Sequence, residues 1–245
     1  MLTGKKVIIF DMDGTLIDSV GIWNQVDEML IRRICGQAGP RPEQIQAQRD
    51  EALRRFSKEE NPYLAYCALL REKYGARESV EEIHALRYQI AQELLQNTVD
   101  YKPDADRLIH WLKERGYTLA IATTTKRSNM DVYRTRNVRM MEKANIDDYF
   151  TLVYTREDAK EMKPSPEIYL RVMAELGVAA EECLVFEDSL VGLEAAKNAG
   201  IQSVAVYDKY SDGEREQINA LADYHVRSYS DLLAELASRQ KTRLC

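Results

Sequence analysis

Val7-Ile8-Ile9-Phe10-Asp11-Met12-Asp13-Gly14-Thr15-Leu16 is the stretch from which the rest of the chain is read. Four apolar residues in succession suffice for a strand buried on both faces and are too few for a buried helix. Asp11 and Asp13 therefore stand where a buried strand ends, the place where open α/β sheets hold their ligands. Gly14 permits a sharp turn, and Thr15 adds a small hydroxyl. Two carboxylates this close repel each other unless a cation or a proton separates them. The stretch implies a metal, a shared proton, or both. Asp and Gly are also ordinary turn residues, so a strand followed by a polar turn competes with any catalytic reading. A calcium loop does not compete. It needs oxygen ligands at its first, third and fifth positions and glycine at its sixth, whereas Gly14 directly follows Asp13. The third reading is a nucleophilic aspartate beside an acid/base aspartate.

The chain has 245 residues, enough for one large domain or a core with an insert. Its 45% hydrophobic and 30% charged residues are the profile of a soluble globular protein. A net charge of −6 and a pI near 5.3 argue against a nucleic-acid or anionic-membrane surface. An anionic substrate must then be held by a local site. Met1 to Lys6 lead at once into the first strand, leaving no room for a signal peptide, and no apolar run approaches membrane-spanning length. Cys35, Cys67, Cys183 and Cys245 show no CxxC spacing, which reads as reduced thiols in a cytoplasmic protein. His84, His110 and His225 fall in no serine-hydrolase or zinc-site context. The expectation is a cytoplasmic monomer or weak dimer that binds neither nucleic acid nor membrane.

After Leu16 the periodicity becomes helical. Ile22, Val26, Met29, Leu30 and Ile34 mark a helix to about Cys35, broken by Gly36, Gly39 and Pro40. A second follows Pro42, with Ile45, Leu53 and Phe56 as its apolar side. A third runs from the Asn61-Pro62 start to Tyr74, ended by Gly75. A fourth opens on the Ser79/Glu82 capping box and continues to about Gln96. Roughly eighty residues thus carry no strand signal. Alternation then resumes: a helix from Pro103 to Gly116, a strand at Thr118–Ala122, and an Arg-rich helical stretch over 129–143 interrupted at Thr135-Arg136-Asn137. There follow a strand at Phe150–Tyr154, a helix at Pro166–Leu176, a strand at Cys183–Phe186, a helix at Leu190–Ala199 and a strand at Ser203–Tyr207. A weak strand at Tyr224–Val226 and a helix at Ser230–Arg239 complete the chain. This order predicts an α/β fold: a Rossmann-like parallel sheet with right-handed crossovers, carrying an inserted all-helical domain. The expected division is a core of residues 1–17 and 99–245 with a helical cap of 18–98, emerging at the end of the first strand.

Three strand ends finish alike, at Asp11/Asp13, at Thr123 and at Glu187/Asp188, and a parallel sheet brings them to one edge. To these is added Lys163, in a loop stiffened by Pro164 and Pro166. These four pieces resemble the four motifs of the haloacid dehalogenase superfamily: Asp11-Met12-Asp13-Gly14-Thr15, Thr123, Lys163-Pro164-Ser165-Pro166, and Glu187-Asp188-Ser189 with Gly192. The resemblance spans the chain. The helical insert resembles the cap of the subgroup containing β-phosphoglucomutase and phosphoglycolate phosphatase.

The resemblance implies a Mg²⁺-dependent phosphatase acting on a small phosphorylated metabolite through an aspartyl phosphate. Asp11 is then the nucleophile and Asp13 the acid/base. Asp11, Asp188 and Asp13, the last through its backbone carbonyl, are metal ligands, with Glu187 as a ligand or close to one. Thr123 and Thr124 are phosphate contacts, and Lys163 offsets the charge of Asp11 and the phosphoryl group. Met162 stands where glycine commonly precedes that lysine. An acid at Asp13 sets the chain apart from the dehalogenase and phosphonate-cleaving branches. Trp23 stands where β-phosphoglucomutase-like chains carry a cap histidine, which favours hydrolysis over phosphomutase chemistry. A catalytically silent metal-binding regulatory protein is the rival from another class, and it has no need of Asp13. In the insert, Arg49 is the expected substrate contact, while Arg41, Arg54 and Arg55 read mostly as solvated helix-face charge. Gly192, inside a helix, is expected to serve close helix–sheet packing.

Overall fold

The computed structural model describes residues 1–36, 42–56 and 61–243, without the side chains of residues 42, 43, 50, 53, 54 and 239–243. Arg41 and the side chains of Leu53 and Arg54 lie outside the described residues. The chain divides into two compact units, Met1–Val20 with Val99–Cys245, and Gly21–Thr98.

The first unit is built on six parallel strands: β1 (Val7–Phe10), β2 (Thr118–Ala122), β3 (Leu152–Tyr154), β4 (Cys183–Glu187), β5 (Gln202–Val206) and β6 (Tyr224–Val226). Their order is β3-β2-β1-β4-β5-β6. From β1 the chain builds outward on one side, then returns to build outward on the other. β1 and β4 therefore flank the switch point, where a crevice opens at the carboxyl ends of an open α/β sheet. Registry sets what meets there. Phe10 pairs with Ile121 on one side and Phe186 on the other, so Asp11, Ala122 and Glu187 end their strands side by side. Every β1 side chain is buried, as its unbroken apolar run requires. Val7, Ile9, Ala120 and Val185 pack on one sheet face with Ile168, Tyr169 and Ala195. Phe10 stacks on Phe186 at 4.8 Å.

The second unit is helical: α1 (Ile22–Cys35), α2 (Pro42–Arg55), α3 (Pro62–Tyr74) and α4 (Val80–Asn97). Asn61 caps α3 through its side chain, and the Ser79/Glu82 box opens α4. Inside this unit Asp27, fully buried, accepts from Arg49 Nη1 at 3.0 Å and Arg87 Nε at 2.7 Å. Asn24 donates to Gln46 at 3.1 Å, one turn along the same α1–α2 seam.

Asp18, Ser19 and Val20, placed by sequence in the insert, belong to the first unit. Asp18 N donates to Asp100 O at 3.1 Å, and Ser19 donates to Asp13. The helix expected at Pro103 begins two residues later, as α5 (Ala105–Glu114), because Asp104 turns the chain with φ 62°. The interrupted Arg-rich stretch is two helices, α6 (Arg127–Thr135) and α7 (Val138–Ala144). Asn137 separates them: its Oδ1 accepts from Met140 N at 3.2 Å, and its Nδ2 donates to Val99 O at 2.9 Å. Arg127 and Arg134 of this stretch pair with Asp158 and Asp147 near the surface. The short α8 (Ile146–Tyr149) was not foreseen. α9 (Glu167–Leu176) and α10 (Leu190–Asn198) follow the Lys163 loop and β4. The short α11 (Arg215–Leu221), also unforeseen, precedes β6, and α12 (Tyr229–Arg243) ends the described chain. No described helix is long and apolar enough to cross a membrane.

Candidate active site

The floor of the site is the joined end of β1 and β4. Asp11 N donates to Phe186 O at 3.0 Å, which carries the ladder one residue past the strand and holds the Asp11 carboxylate at the sheet edge. Beyond it the chain turns tightly: Gly14 N donates to Ile17 O at 3.0 Å and Leu16 N to Met12 O at 3.0 Å. Gly14 has φ 82°, and a Cβ there would overlap the Asp188 carboxylate. Glycine thus serves both the turn and the approach of the acid. Thr15 Oγ1 donates to Asp188 Oδ1 at 2.8 Å, and Tyr229 of α12 fixes the Thr15 carbonyl at 3.0 Å.

Lys163 reaches in from its loop and is nearly sealed from solvent. Its Nζ lies 2.7 Å from Asp11 Oδ1 and 2.6 Å from Glu187 Oε1, 5.1 Å above the Tyr169 ring. It is therefore no solvated loop lysine. Burial works to lower its pKa, but Asp11 and Glu187 override that and hold the ammonium well above its ordinary value. Glu187 is saturated. Oε1 takes Lys163 and the Tyr169 hydroxyl, while Oε2 takes Asp188 N, Ser189 N and Ser189 Oγ. Gly192 makes room for it, since a Cβ there would overlap the Glu187 carboxylate. Close helix–sheet packing is thus replaced by a more specific reason, the space taken by one buried acid.

Burial pushes the Asp11 carboxyl up to about 7, with Lys163 pulling against it and Glu187 adding to it. Burial, then Glu187 and Asp11, push Asp188 well above the carboxylate range. Ligand oxygens of Asp11, Glu187 and Asp188 lie within 4.8 Å of one another. Three buried carboxylates face one ammonium, so full ionisation needs further positive charge. An all-oxygen donor set of this kind suits a hard divalent cation such as Mg²⁺. Asp11 and Asp188 fit the ligand role. Glu187, with its lone pairs engaged, fits that of a support for Lys163 and for the start of α10.

Asp13 is not part of this three-acid cluster. Its two carboxylate oxygens accept from Ser19 Oγ and Thr125 Oγ1. Thr123, buried at the end of β2, contacts Thr125 Oγ1 at 3.0 Å and accepts from Thr125 N at 3.1 Å. Thr124 between them is exposed. A hydroxyl chain thus links Thr123 through Thr125 to Asp13. Ser19, Thr125 and Tyr169 were missed by sequence reasoning, and Ser189 was quoted in its motif without a role. The run Thr123-Thr124-Thr125 was a usable signal, because alternate residues of an extended segment share a face. Ser19, six residues past Asp13, offered none.

Arg49 belongs to the second unit. There Arg49, the expected substrate contact, is buried against Asp27, whereas Arg55 is exposed. Trp23 is half-buried, 5.5 Å from the Arg87 guanidinium.

The family model for haloacid dehalogenase-like hydrolases matches residues 8–206. The chain is 28% identical over 215 residues to a phosphorylated carbohydrates phosphatase of Thermotoga maritima, covering 85% of this chain and 88% of the relative. It is 29% identical over 216 residues to a phosphoglycolate phosphatase of Pseudomonas fluorescens, covering 85% and 71%. A solved structure of CbbY from Rhodobacter sphaeroides in complex with phosphate superposes with a TM-score of 0.67 at 24% identity. It covers 93% of this chain and 96% of that one, a likeness of fold.

Proposed function

The chain belongs to the haloacid dehalogenase-like hydrolases and is a phosphoric monoester hydrolase, and from that premise we propose that it cleaves a small phosphorylated carbohydrate or carboxylate through an aspartyl phosphate on Asp11. The observation that carries this reading is the division of labour among the acids. Asp11 is buried against Lys163 and Asp188 at the switch point, while Asp13 stands apart on two hydroxyls.

Asp11 attacks phosphorus, and the bond from phosphorus to the ester oxygen breaks. Asp13 gives its proton to the departing oxygen, then takes one from the water that attacks the aspartyl phosphate. Inorganic phosphate leaves and Asp11 is regenerated. Lys163 and Thr123 hold phosphoryl oxygens, Lys163 supplying charge and Thr123 a hydroxyl donor. Asp11, Asp188 and the Asp13 backbone carbonyl would hold Mg²⁺, which offsets the repulsion between carboxylate and phosphoryl group when bound. The helical unit acts as the cap that selects the leaving group. Trp23 in place of a histidine favours hydrolysis over return of the phosphoryl group to a sugar.

The test is turnover of p-nitrophenyl phosphate and of a panel of phosphorylated metabolites, with Mg²⁺ and with EDTA. Asp11→Asn removes the nucleophile and should lower kcat by roughly 10⁴-fold or more. Near-wild-type activity in that variant, or full activity in EDTA, overturns the assignment.

A further inference from the structure

Asp188 receives one hydroxyl on each carboxylate oxygen, and the two hydroxyls come from different segments. Thr15 Oγ1 reaches Oδ1 at 2.8 Å from the loop after β1, and Ser211 Oγ reaches Oδ2 at 3.4 Å from the loop after β5. Thr15 lies in a loop and Ser211 in the short helical turn Lys209–Glu214, outside the sheet, so something must hold each in place. Lys102 ties them together. Its backbone N–H donates to Leu16 O at 2.8 Å, next to Thr15. Its ammonium donates to Asp208 Oδ2 at 2.7 Å and to Tyr207 O at 3.0 Å, at the end of β5. Asp208 is buried, and its Oδ1 accepts from Tyr210 N at 2.9 Å, capping the helical turn Lys209–Glu214 that carries Ser211. Arg215 Nη2 holds the Asp208 carbonyl at 2.7 Å from the far side of that turn. The Lys102 side chain is only 12% exposed, so this pair is shielded rather than a screened surface contact.

We propose that Lys102 and Asp208 are a positioning pair for Asp188, locking to each other the two loops whose hydroxyls orient that carboxylate for a divalent cation. The inference rests on the reading of Asp188 as a metal ligand. Partners behind a ligand fix its orientation, and losing one typically costs about 10- to 100-fold in metal affinity. Lys102 touches neither the reacting atoms nor the ligand. It acts through Thr15 and Ser211.

The experiment titrates Mg²⁺ into the full chain by calorimetry and measures the Mg²⁺ concentration for half-maximal hydrolysis of p-nitrophenyl phosphate. Lys102→Met, Asp208→Asn, Ser211→Ala and the double variant Lys102→Met/Asp208→Asn are compared with wild type. Lys143→Met serves as the control, because it breaks the more exposed Lys143–Asp100 pair of the same returning segment. We expect Lys102→Met and Asp208→Asn each to weaken Mg²⁺ binding by about 10-fold. Half-activation should move to match, with kcat at saturating Mg²⁺ within about 3-fold of wild type. The double variant should be no worse than either single one, since both break the same link. Ser211→Ala, which removes no buried charge, should show a smaller shift of the same sign, and it stands as the test if Lys102→Met does not fold.

Opposite shifts in Lys102→Met and Asp208→Asn, tighter in the first and weaker in the second, would mean that only net charge matters and would overturn the proposal. A lowered melting temperature with unchanged Mg²⁺ affinity would overturn it as well. Wild-type protein that binds Mg²⁺, with variants that bind it equally, sinks the positioning pair and leaves the metal reading intact. Failure of wild type itself to bind sinks both.

Discussion

At the residue scale, the site is a small volume shared by acids that require special neighbours. Gly192 is the sharpest case. Helix propensity alone says that Gly192→Ala should stabilise α10 by about 1 kcal/mol. The Glu187 carboxylate occupies the space a Cβ needs, so we expect the opposite, a loss of about 1–3 kcal/mol in urea unfolding together with lower activity. The sign alone decides between the two. A second expectation concerns acid–base linkage in EDTA-treated protein. The Asp11 carboxyl is raised from its ordinary 3.8 to about 7 in the fold, chiefly by burial, so across that window the folded chain keeps a proton that the unfolded chain has lost. Asp188 is shifted in the same direction. Their contribution to stability is therefore fully present below about pH 4 and declines as pH rises toward 7. Melting in EDTA should show this decline, and Mg²⁺ should restore more stability at pH 7.5 than at pH 5.5. Equal restoration at both values would contradict it. Asp11, Asp13 and Asp188 stood out in the sequence because ionic residues at the ends of apolar runs are rare without a use, whereas Lys163, in a loop, stood out only through the motif it resembles. Thr125 and Ser19 did not stand out. A hydroxyl residue just past a strand is locally the same whether it caps a turn or binds an aspartate.

At the scale of elements, the strands and most helices followed from local signals: apolar runs for β1 and β4, Asn61-Pro62 for α3, and the Ser79/Glu82 box for α4. Short elements such as α8 and α11 did not, because four to seven residues span at most two turns and leave little periodicity to read. The ionic core of the helical unit was equally hidden. Asp27 and Arg49 are 22 positions apart and Asp27 and Arg87 are 60 apart, so no spacing rule within a helix joins them. Their energetics are nevertheless decisive for α1, α2 and α4. Asp27→Ala strands two buried guanidinium groups and should cost about 3–5 kcal/mol. Breaking the exposed Arg32–Glu28 pair, 3.1 Å long on α1, should change stability by no more than about 0.5 kcal/mol. Chemical denaturation followed by helical circular dichroism measures both. A small effect of Asp27→Ala would show that this unit is held by its apolar contacts alone. Nothing in the sequence showed that Arg49, expected as a substrate contact, pairs with Asp27. Helix periodicity reports which face a residue occupies, not whether a distant carboxylate has drawn it inward.

At the scale of the whole molecule, the order of signals along the chain placed eighty helical residues after β1 and before every other strand, and that alone made them an insertion. What sequence could not supply was the leaving group, since side chains that would contact it come from positions far apart along the chain. The connection itself offers a direct test. The outgoing and returning segments adjoin: Ile17 bridges Tyr101 in antiparallel fashion, Asp18 N donates to Asp100 O at 3.1 Å, and Lys102 N donates to Leu16 O at 2.8 Å. Residues 21–98 are thus inserted between two adjoining backbone segments about 5 Å apart. A short glycine-rich linker can span that gap, and shortening the loop lowers rather than raises its closure cost. Asp11, Asp13, Thr123, Lys163 and Asp188 all belong to the unit that remains. The shortened chain should therefore fold, bind Mg²⁺ and hydrolyse p-nitrophenyl phosphate in an Asp11-dependent manner. Its kcat/KM values across phosphorylated metabolites should collapse toward a common low figure, because in the proposed mechanism those five residues address the phosphoryl group and its ester oxygen but not the rest of the substrate. If the shortened chain folds and keeps the wild-type ranking of substrates, the helical unit does not select them, and specificity must be sought among the loops of the core.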